Sequence, residues 1–299
     1  MTVPEYPDSR QIMLEDKPLF DAIYAANPPQ VSAYTFTNLF AWRESYKTEV
    51  SQVGKSIIVH HNIDKRACLE PMGGDEIKSV IIEVFARSGD TAIQFERISA
   101  EVSALFADDP NFTVEHDRDN SDYLYLADDL KNLNGRHFDA KRNHIAKLKA
   151  QYAYEYEEMT KQTVMECIDF TDKWCEARAC RKIKGMRMEQ SAIHQMLENF
   201  DNLDICGGAI RVDGAVVAFS LGEKLNPETL VVHAEKADQH IDGIYQLINN
   251  EFCIHEACNY KYVNREQDLG IPGLRKAKKS YQPVKMIDTY VIRPASPAD

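Results

Sequence analysis

The sequence predicts an α/β (α+β) fold built as two tandem domains, each a mixed sheet flanked by helices. Three observations carry this. The chain has 299 residues, about two domains' worth. Stretches of period 2 and of period 3.6 alternate along it. One order of elements runs through it twice: helices, a three-strand meander, then helix, strand, helix, strand. Hydrophobic residues at 44% and charged residues at 27% are ordinary globular usage, which excludes a fibrous or wholly disordered chain.

The first half spans residues 1–125. KPLFDAIYAA (17–26) has helical spacing and is stopped by Asn27-Pro28-Pro29, because proline removes a donor and restrains its neighbour. FTNLFAW (36–42) gathers Phe36, Leu39, Phe40 and Trp42 on one side, and Phe40 and Trp42 read as core. EVSQVG and KSIIVHHNI form a hairpin about Gly54-Lys55, with RACLEPM as third strand; His60-His61 read as polar strand positions. A helix over 75–88, a strand TAIQFERI (91–98) and a helix capped by Ser99 follow. NFTVEHD and DYLYLAD close the half as strands.

The second half spans 126–293. FDAKRNHIAKLKAQ is a basic helix, YAYEYEEM a strand, and two helices lie over 163–180 and 187–200. Three strands turn at Asp213-Gly214 and Asn226-Pro227. A helix (243–258), the strand NYKYVNRE, a short helix GLRKAKKSY and a final strand VKMIDTYVI complete it. Residues 294–299, PASPAD, predict a disordered tail. The order of elements matches the acyltransferase fold called GNAT.

Lys and Arg total 35 against 47 Asp and Glu, a net charge of -12, so any nucleic-acid contact needs a local basic patch. The start, MTVPEYPDSRQIMLEDK, lacks the apolar core of a secretory signal, and no apolar stretch is long enough to cross a membrane. The expected location is the cytoplasm. The seven cysteines, without a CxxC pair, read as reduced thiols rather than metal ligands. No P-loop, GxGxxG, HExxH or GxSxG is present, which removes simple nucleotide, zincin and serine-hydrolase readings.

Three clusters can carry chemistry, all in the second half. Positions 131, 136, 141, 142, 147 and 149 are Lys or Arg, with Asp139 the lone acid from 131 to 150. Arg142 there could grip a phosphate or carboxylate as a fork, with Asn143 beside it. In VVHAEKAD, strand alternation puts His233 and Glu235 on one face and Lys236 on the other, at the end of a buried-looking strand. Glu235 could accept a proton there. In YVNREQDLGIPGLRKAKKSYQP, Asn264, Arg265, Glu266 and Asp268 leave a strand end, and Pro272 opens a helix whose N-terminus suits an anion or oxyanion. Arg275 and Lys278 add positive charge, and Tyr281 follows.

FDAKRNHI, HAEKAD, YVNREQDLG, GLRKAKKSY and FTNLFAW together resemble a bacterial family grouped with the C-terminal synthase domain of phosphatidylglycerol lysyltransferase. The resemblance covers nearly the whole chain. It implies two tandem GNAT-like domains, the first degenerate, and a more distant kinship with Fem-type aminoacyltransferases. It also implies an aminoacyl-tRNA donor, whose acceptor end would be a partner, and an amine or hydroxyl acceptor, without a further cofactor. On this reading Arg142, Arg275 and Lys278 hold phosphates or a carboxylate. Glu235 or Asp268 is the base or the anchor of an ammonium, Asn264 and Arg265 orient the carbonyl, and Tyr281 relays a proton. Asn143, His233, Lys236 and Glu266 line the substrate. Two departures count: the multi-helix membrane half is missing, and KADQHIDGIYQ keeps Gly243 but lacks the paired glycines that cradle CoA. A CoA-dependent N-acyltransferase of a small amine and a non-catalytic module for an amino acid or charged tRNA are the alternatives.

Overall fold

The computed structural model describes residues 2–63, 66–74, 76–89 and 92–295. Asp75, Thr91 and the tail over 296–299 lie outside the described residues. The chain falls into two units. One takes the chain to Asp122, Gln267–Gly270 and the stretch from Ile287 onward; the other takes Tyr123–Glu266 and Ile271–Met286.

In chain order the first unit opens with β1 (Arg10–Gln11), α1 (Lys17–Ala26), α2 (Phe36–Ala41) and α3 (Arg43–Tyr46). The hairpin β2 (Glu49–Val53) and β3 (Ser56–Asn62) leads to β4 (Arg66–Cys68). Then come α4 (Ile77–Ser88), β5 (Gln94–Ile98), α5 (Ala100–Ala104) and β6 (Phe112–His116). Ser99 caps α5, its Oγ accepting from the Val102 N–H at 3.3 Å. Phe40 is buried, and Trp42 is half-buried and stacked on Tyr46.

The second unit follows with β7 (Asp122–Leu126), α6 (Ala127–Asn132), α7 (Asp139–Gln151), β8 (Tyr154–Glu158), α8 (Lys161–Ala177) and α9 (Lys184–Glu198). The meander β9 (Cys206–Val212), β10 (Ala215–Asn226) and β11 (Thr229–Ala237) precedes α10 (Ile244–Glu256), β12 (Tyr262–Asn264), α11 (Pro272–Lys279) and β13 (Lys285–Ile287). β14 (Tyr290–Pro294), in the first unit, is the last element.

The first sheet runs β1-β2-β3-β4-β5-β14-β6 and the second β13-β7-β12-β11-β10-β9-β8. In the first, β4 and β5 pair parallel across the helix α4; in the second, β11 and β12 pair parallel across α10. One parallel pair closed by a helical crossover beside an antiparallel meander is the arrangement expected of each half. Each sheet has its own apolar core. Ile58, Cys68, Ile81, Val84 and Phe95 centre the first, and Leu247, Ile248, Phe252 and Val263 the second.

Three expectations are corrected. VKMIDTYVI is not one strand of the second half: it splits into β13 in the second sheet and β14 in the first, while DYLYLAD joins the second sheet as β7. The sequence pattern gives strand identity but not pairing partner, which is a long-range choice. Pro294 belongs to β14, and the Ala295 N–H donates to the Asn111 carbonyl at 2.8 Å, so these two are not tail. Finally, Cys175 and Cys180 form a disulfide, because the chain folds back after α8 and brings their Cα atoms within 5.1 Å.

Gly243 has a packing role. It caps α10 at φ +87°, and a Cβ there would lie 2.6 Å from the His144 carbonyl oxygen of α7. Gly243→Ala is expected to cost about 1–3 kcal/mol, from the left-handed backbone and the clash together. Urea unfolding of the variant measures it.

Candidate functional site

β11 pairs with β12 only from Thr229 to Val231, and β12 ends at Asn264, whereas β11 continues to Ala237. The polar ends of the two strands meet beyond the last paired residues. The Asn264 side-chain oxygen accepts from the Glu266 N–H at 2.8 Å, and Glu266 takes a left-handed backbone at φ +56°. This turn is held on β7, where the Tyr123 carbonyl accepts from the Arg265 N–H at 3.0 Å. Arg265 is thereby turned toward β11, where its Nη2 donates to Glu235 Oε2. The other Glu235 oxygen accepts from Asn249 of α10 at 3.0 Å.

The Arg265 guanidinium lies 4.7 Å from the centre of the Tyr281 ring and 5.8 Å from that of Tyr125. The Tyr125 hydroxyl donates to the Lys278 carbonyl at 2.9 Å, and the Lys278 amine donates to the Arg265 carbonyl, so α11 is fastened to the turn. Lys141 of α7 donates to Ser280 at 2.6 Å, with its amine 4.3 Å from the Tyr281 ring centre. Burial lifts the Tyr281 phenol well above its ordinary pKa, against the pull of Arg265. Burial opposes the charge on Arg265, but Glu235 more than offsets it and holds the guanidinium protonated.

Three polar atoms around Glu235 are buried and have no hydrogen-bond partner among the described residues: Arg265 Nη1, Asn249 Oδ1 and Ser220 Oγ. Ser220 stands directly opposite Glu235 in the β10–β11 ladder. Buried polar groups that a protein leaves unsatisfied take ordered water, an ion or a ligand as partner.

A second constellation sits two residues earlier. The register of β10 and β11 slips between Leu221 and Gly222, leaving His233 as the extra residue of a bulge. Its fully buried ring is bridged by carboxylates, Nε2 to Glu223 at 2.8 Å and Nδ1 to Glu266 at 2.9 Å. Burial disfavours the charged ring, but the two carboxylates outweigh it and raise the pKa to about 9. At neutral pH the ring is an imidazolium that ties β10, β11 and the Glu266 turn together.

Residues 25–293 match the family model described as phosphatidylglycerol lysyltransferase, C-terminal. The chain belongs to this family.

A crystal structure of a conserved protein of unknown function from Bacteroides thetaiotaomicron is 35% identical, with a TM-score of 0.88, covering 96% of this chain and 99% of that one. The structure of L-PGS from Bacillus licheniformis, 13% identical, has a TM-score of 0.67 and covers 100% of this chain and 95% of that one. FemX, 9% identical, has a TM-score of 0.56 over 96% and 97%. These last two likenesses concern the fold, which is tandem and GNAT-like as expected. An uncharacterized protein of Mycoplasmoides gallisepticum is 24% identical over 187 residues, 58% of this chain; the match spans only 56% of that curated relative's length.

In this lysyltransferase-related chain, Glu235, Arg265, Lys278, Tyr281, His233 and Glu266 converge, with Asn264 buried beneath them as the residue that shapes the turn. Others lie elsewhere. Asp268 falls in the first unit, fully buried, where its carboxylate accepts from Arg118 at 3.3 Å and from the Gly270 N–H at 2.9 Å. Lys236 points to the opposite sheet face, pairing with Glu189 at 2.8 Å and lying 4.0 Å from the Trp174 ring centre. Arg142 closes the loop before α7, donating to the carbonyls of Leu133 and Gly135 and to Asp139. Asn143 is exposed on α7, and Arg275 is half-buried on α11.

The candidate cluster also includes Glu223, Asn249, Ser220, Tyr125 and Lys141; of these the sequence singles out only Lys141, within the basic run from 131 to 149. Glu223 carried a weak signal, as an acid inside an apolar strand; Asn249 and Ser220 carried none, because a polar residue in a helix or strand looks like any solvated position. In the first unit, Ser51, His60 and Cys68 line up, His60 Nε2 2.6 Å from Ser51 Oγ and Nδ1 3.4 Å from Cys68 Sγ. All three are buried. Burial lowers the His60 pKa to about 3 and pushes Cys68 up to about 12, so this trio holds neither a base nor a thiolate at neutral pH. Among the described residues no cluster of three or more His, Cys, Asp or Glu could hold a metal ion, and no helix is long and apolar enough to cross a membrane.

Proposed function

We propose that the chain is an aminoacyltransferase that moves an activated aminoacyl group from the end of a charged tRNA to a small amine or hydroxyl acceptor. The observation that carries this is the unpartnered pair at Glu235. Arg265 Nη1 needs an acceptor and Asn249 Oδ1 needs a donor, both beside a carboxylate. An aminoacyl ester offers both within two bonds of its α-carbon: an ammonium for Glu235 and Asn249, and a carbonyl oxygen for Arg265. Membership of the lysyltransferase family and the likeness of fold to FemX support the same reading.

The chemistry balances with these residues. The acceptor's N–H or O–H attacks the ester carbon, and negative charge gathers on the carbonyl oxygen facing Arg265. The ribose C–O bond then breaks, and the proton lost by the acceptor is matched by one gained at the ribose oxygen. Tyr281, held protonated by burial, is suited to relay it: its phenol gives its proton to the ribose oxygen and takes the acceptor's proton in return. His233 and Glu266 keep Arg265 in position through the turn. No further cofactor is required.

The test follows radiolabel. The protein is incubated with tRNAs charged with labelled amino acids and a panel of small amines and hydroxyl compounds. Label is expected to move from RNA to an acceptor, and Arg265→Met is expected to lower that rate by about 100-fold or more, as for loss of an oxyanion donor. Acyl transfer from acetyl-CoA with none from charged tRNA would replace this reading with the CoA-dependent one.

A further inference from the structure

We propose that the disulfide between Cys175 and Cys180 is a reversible redox clasp that governs how firmly the end of β11 is held. This goes beyond the transfer reaction and does not rest on it. The bridge spans the elbow between α8 and α9. Cys175 lies in the last turn of α8, and Cys180 opens the short 3-10 turn Cys180–Lys182 that leads into α9. Between them Ala179 takes a left-handed backbone at φ +52°, which a residue with a Cβ disfavours. The hydrogen bonds of the elbow are local. Ala179 N–H donates to the Glu176 carbonyl at 3.1 Å, Lys182 to Ala179 at 2.9 Å and Ile183 to Cys180 at 2.9 Å. Lys182, Ile183 and Lys184 on its outer side are exposed.

Both arms of the elbow grip the last residues of β11. Trp174, next to Cys175, donates from Nε1 to the Ala237 carbonyl at 3.0 Å. Its ring centre lies 4.0 Å from the Lys236 amine and 4.3 Å from the Arg178 guanidinium. From α9, Glu189 pairs with the same Lys236 amine at 2.8 Å. Glu235 immediately precedes these two gripped residues. Opening the bridge frees the elbow from its left-handed turn, and the hold of Trp174 on Ala237 loosens with it. The helices stay joined one turn away, because Gln190 of α9 donates to Asp172 of α8 at 2.8 Å. The change is therefore a local opening of the elbow and the strand end, not an unfolding. The exchange balances with a small thiol as reductant. One thiolate attacks a sulfur of the bridge, forming a mixed disulfide and releasing one cysteine. A second takes the first away as its own disulfide, so two electrons and two protons pass to Cys175 and Cys180. The small-molecule disulfide reverses the step.

The test compares the full chain in glutathione and in glutathione disulfide. Alkylation of free thiols, mapped by mass spectrometry, is expected to find Cys175 and Cys180 open in the first buffer and bridged in the second. In the reduced chain, amide hydrogen exchange over 233–238 is expected to be about tenfold faster or more, with exchange over 206–212 unchanged. Trypsin is expected to cut after Lys182 or Lys184 faster by a similar factor, about tenfold. Reoxidation is expected to restore both. Cys175→Ala with Cys180→Ala is expected to match the reduced chain in either buffer, and if that variant does not fold, reduction of the unaltered chain still decides. A bridge that opens with no change in exchange over 233–238 would overturn the proposal. So would a bridge that glutathione opens only as the whole chain unfolds, or one that does not form in glutathione disulfide. None of these outcomes bears on the labelled-tRNA assay, so the two readings fail separately.

Discussion

Glu235→Ala is expected to destabilise the second unit by about 3–5 kcal/mol, the range for removing one partner of a buried ion pair. The loss comes less from the missing attraction than from what remains. Arg265 Nη1 already has no partner among the described residues, and the variant would leave Nη2 in the same state, with a full charge between two tyrosine rings. The Asn249 amide would lose its acceptor as well. Arg265→Met in the same chain is expected to recover most of the loss, because the buried charge leaves with its partner. Urea unfolding measures both. The chain has two tryptophans, Trp42 in the first unit and Trp174 in the second, so a Trp42→Phe background makes the remaining fluorescence report the second unit alone. A cost below about 1 kcal/mol for Glu235→Ala would mean that the pair behaves as a solvated surface bridge and does not organise the site.

Stability should also fall in mild alkali, and His233 should be the cause. Its pKa is raised from 6.5 to about 9 in the folded chain. A raised value stabilises the fold fully below pH about 6.5, where both states carry the proton, and the contribution is lost as pH rises through 9. A shift of this size corresponds to about 3 kcal/mol. Wild-type stability is therefore expected to decline between these limits more steeply than that of His233→Gln, which carries no titrating ring. Equal slopes would show that Glu223 and Glu266 do not hold an imidazolium between them.

The parts of this molecule written in local pattern were legible in the sequence. The alternation of His233 and Glu235 against Lys236, the Pro272 start of α11 and the Ser99 cap all depend on residues within a few positions of one another, and the structure has them as expected. What depends on distant partners was not. β14 crosses to the first sheet because its pairing is settled by β5 and β6, far away in the chain. Asp268 looked like a site acid from its neighbours Arg265 and Glu266, yet it falls in the first unit, where its carboxylate pairs with Arg118. Arg142 shows the limit of reading charge alone: a fork suited to phosphate serves equally to close a loop of carbonyls. The bulge at His233 and the arrival of Asn249 from α10 complete the site through tertiary geometry, which single-residue chemistry does not encode.

On the proposed function, the groups around Glu235 and Arg265 receive an ammonium and a carbonyl oxygen together. Calorimetric titration with an aminoacyl-adenosine amide, and with the same compound lacking its α-amine, tests it most directly. Binding of the first is expected, with a loss of at least about tenfold in affinity for the second, and loss of the difference between them in Glu235→Gln. Equal affinity for both compounds in the wild-type protein would contradict it.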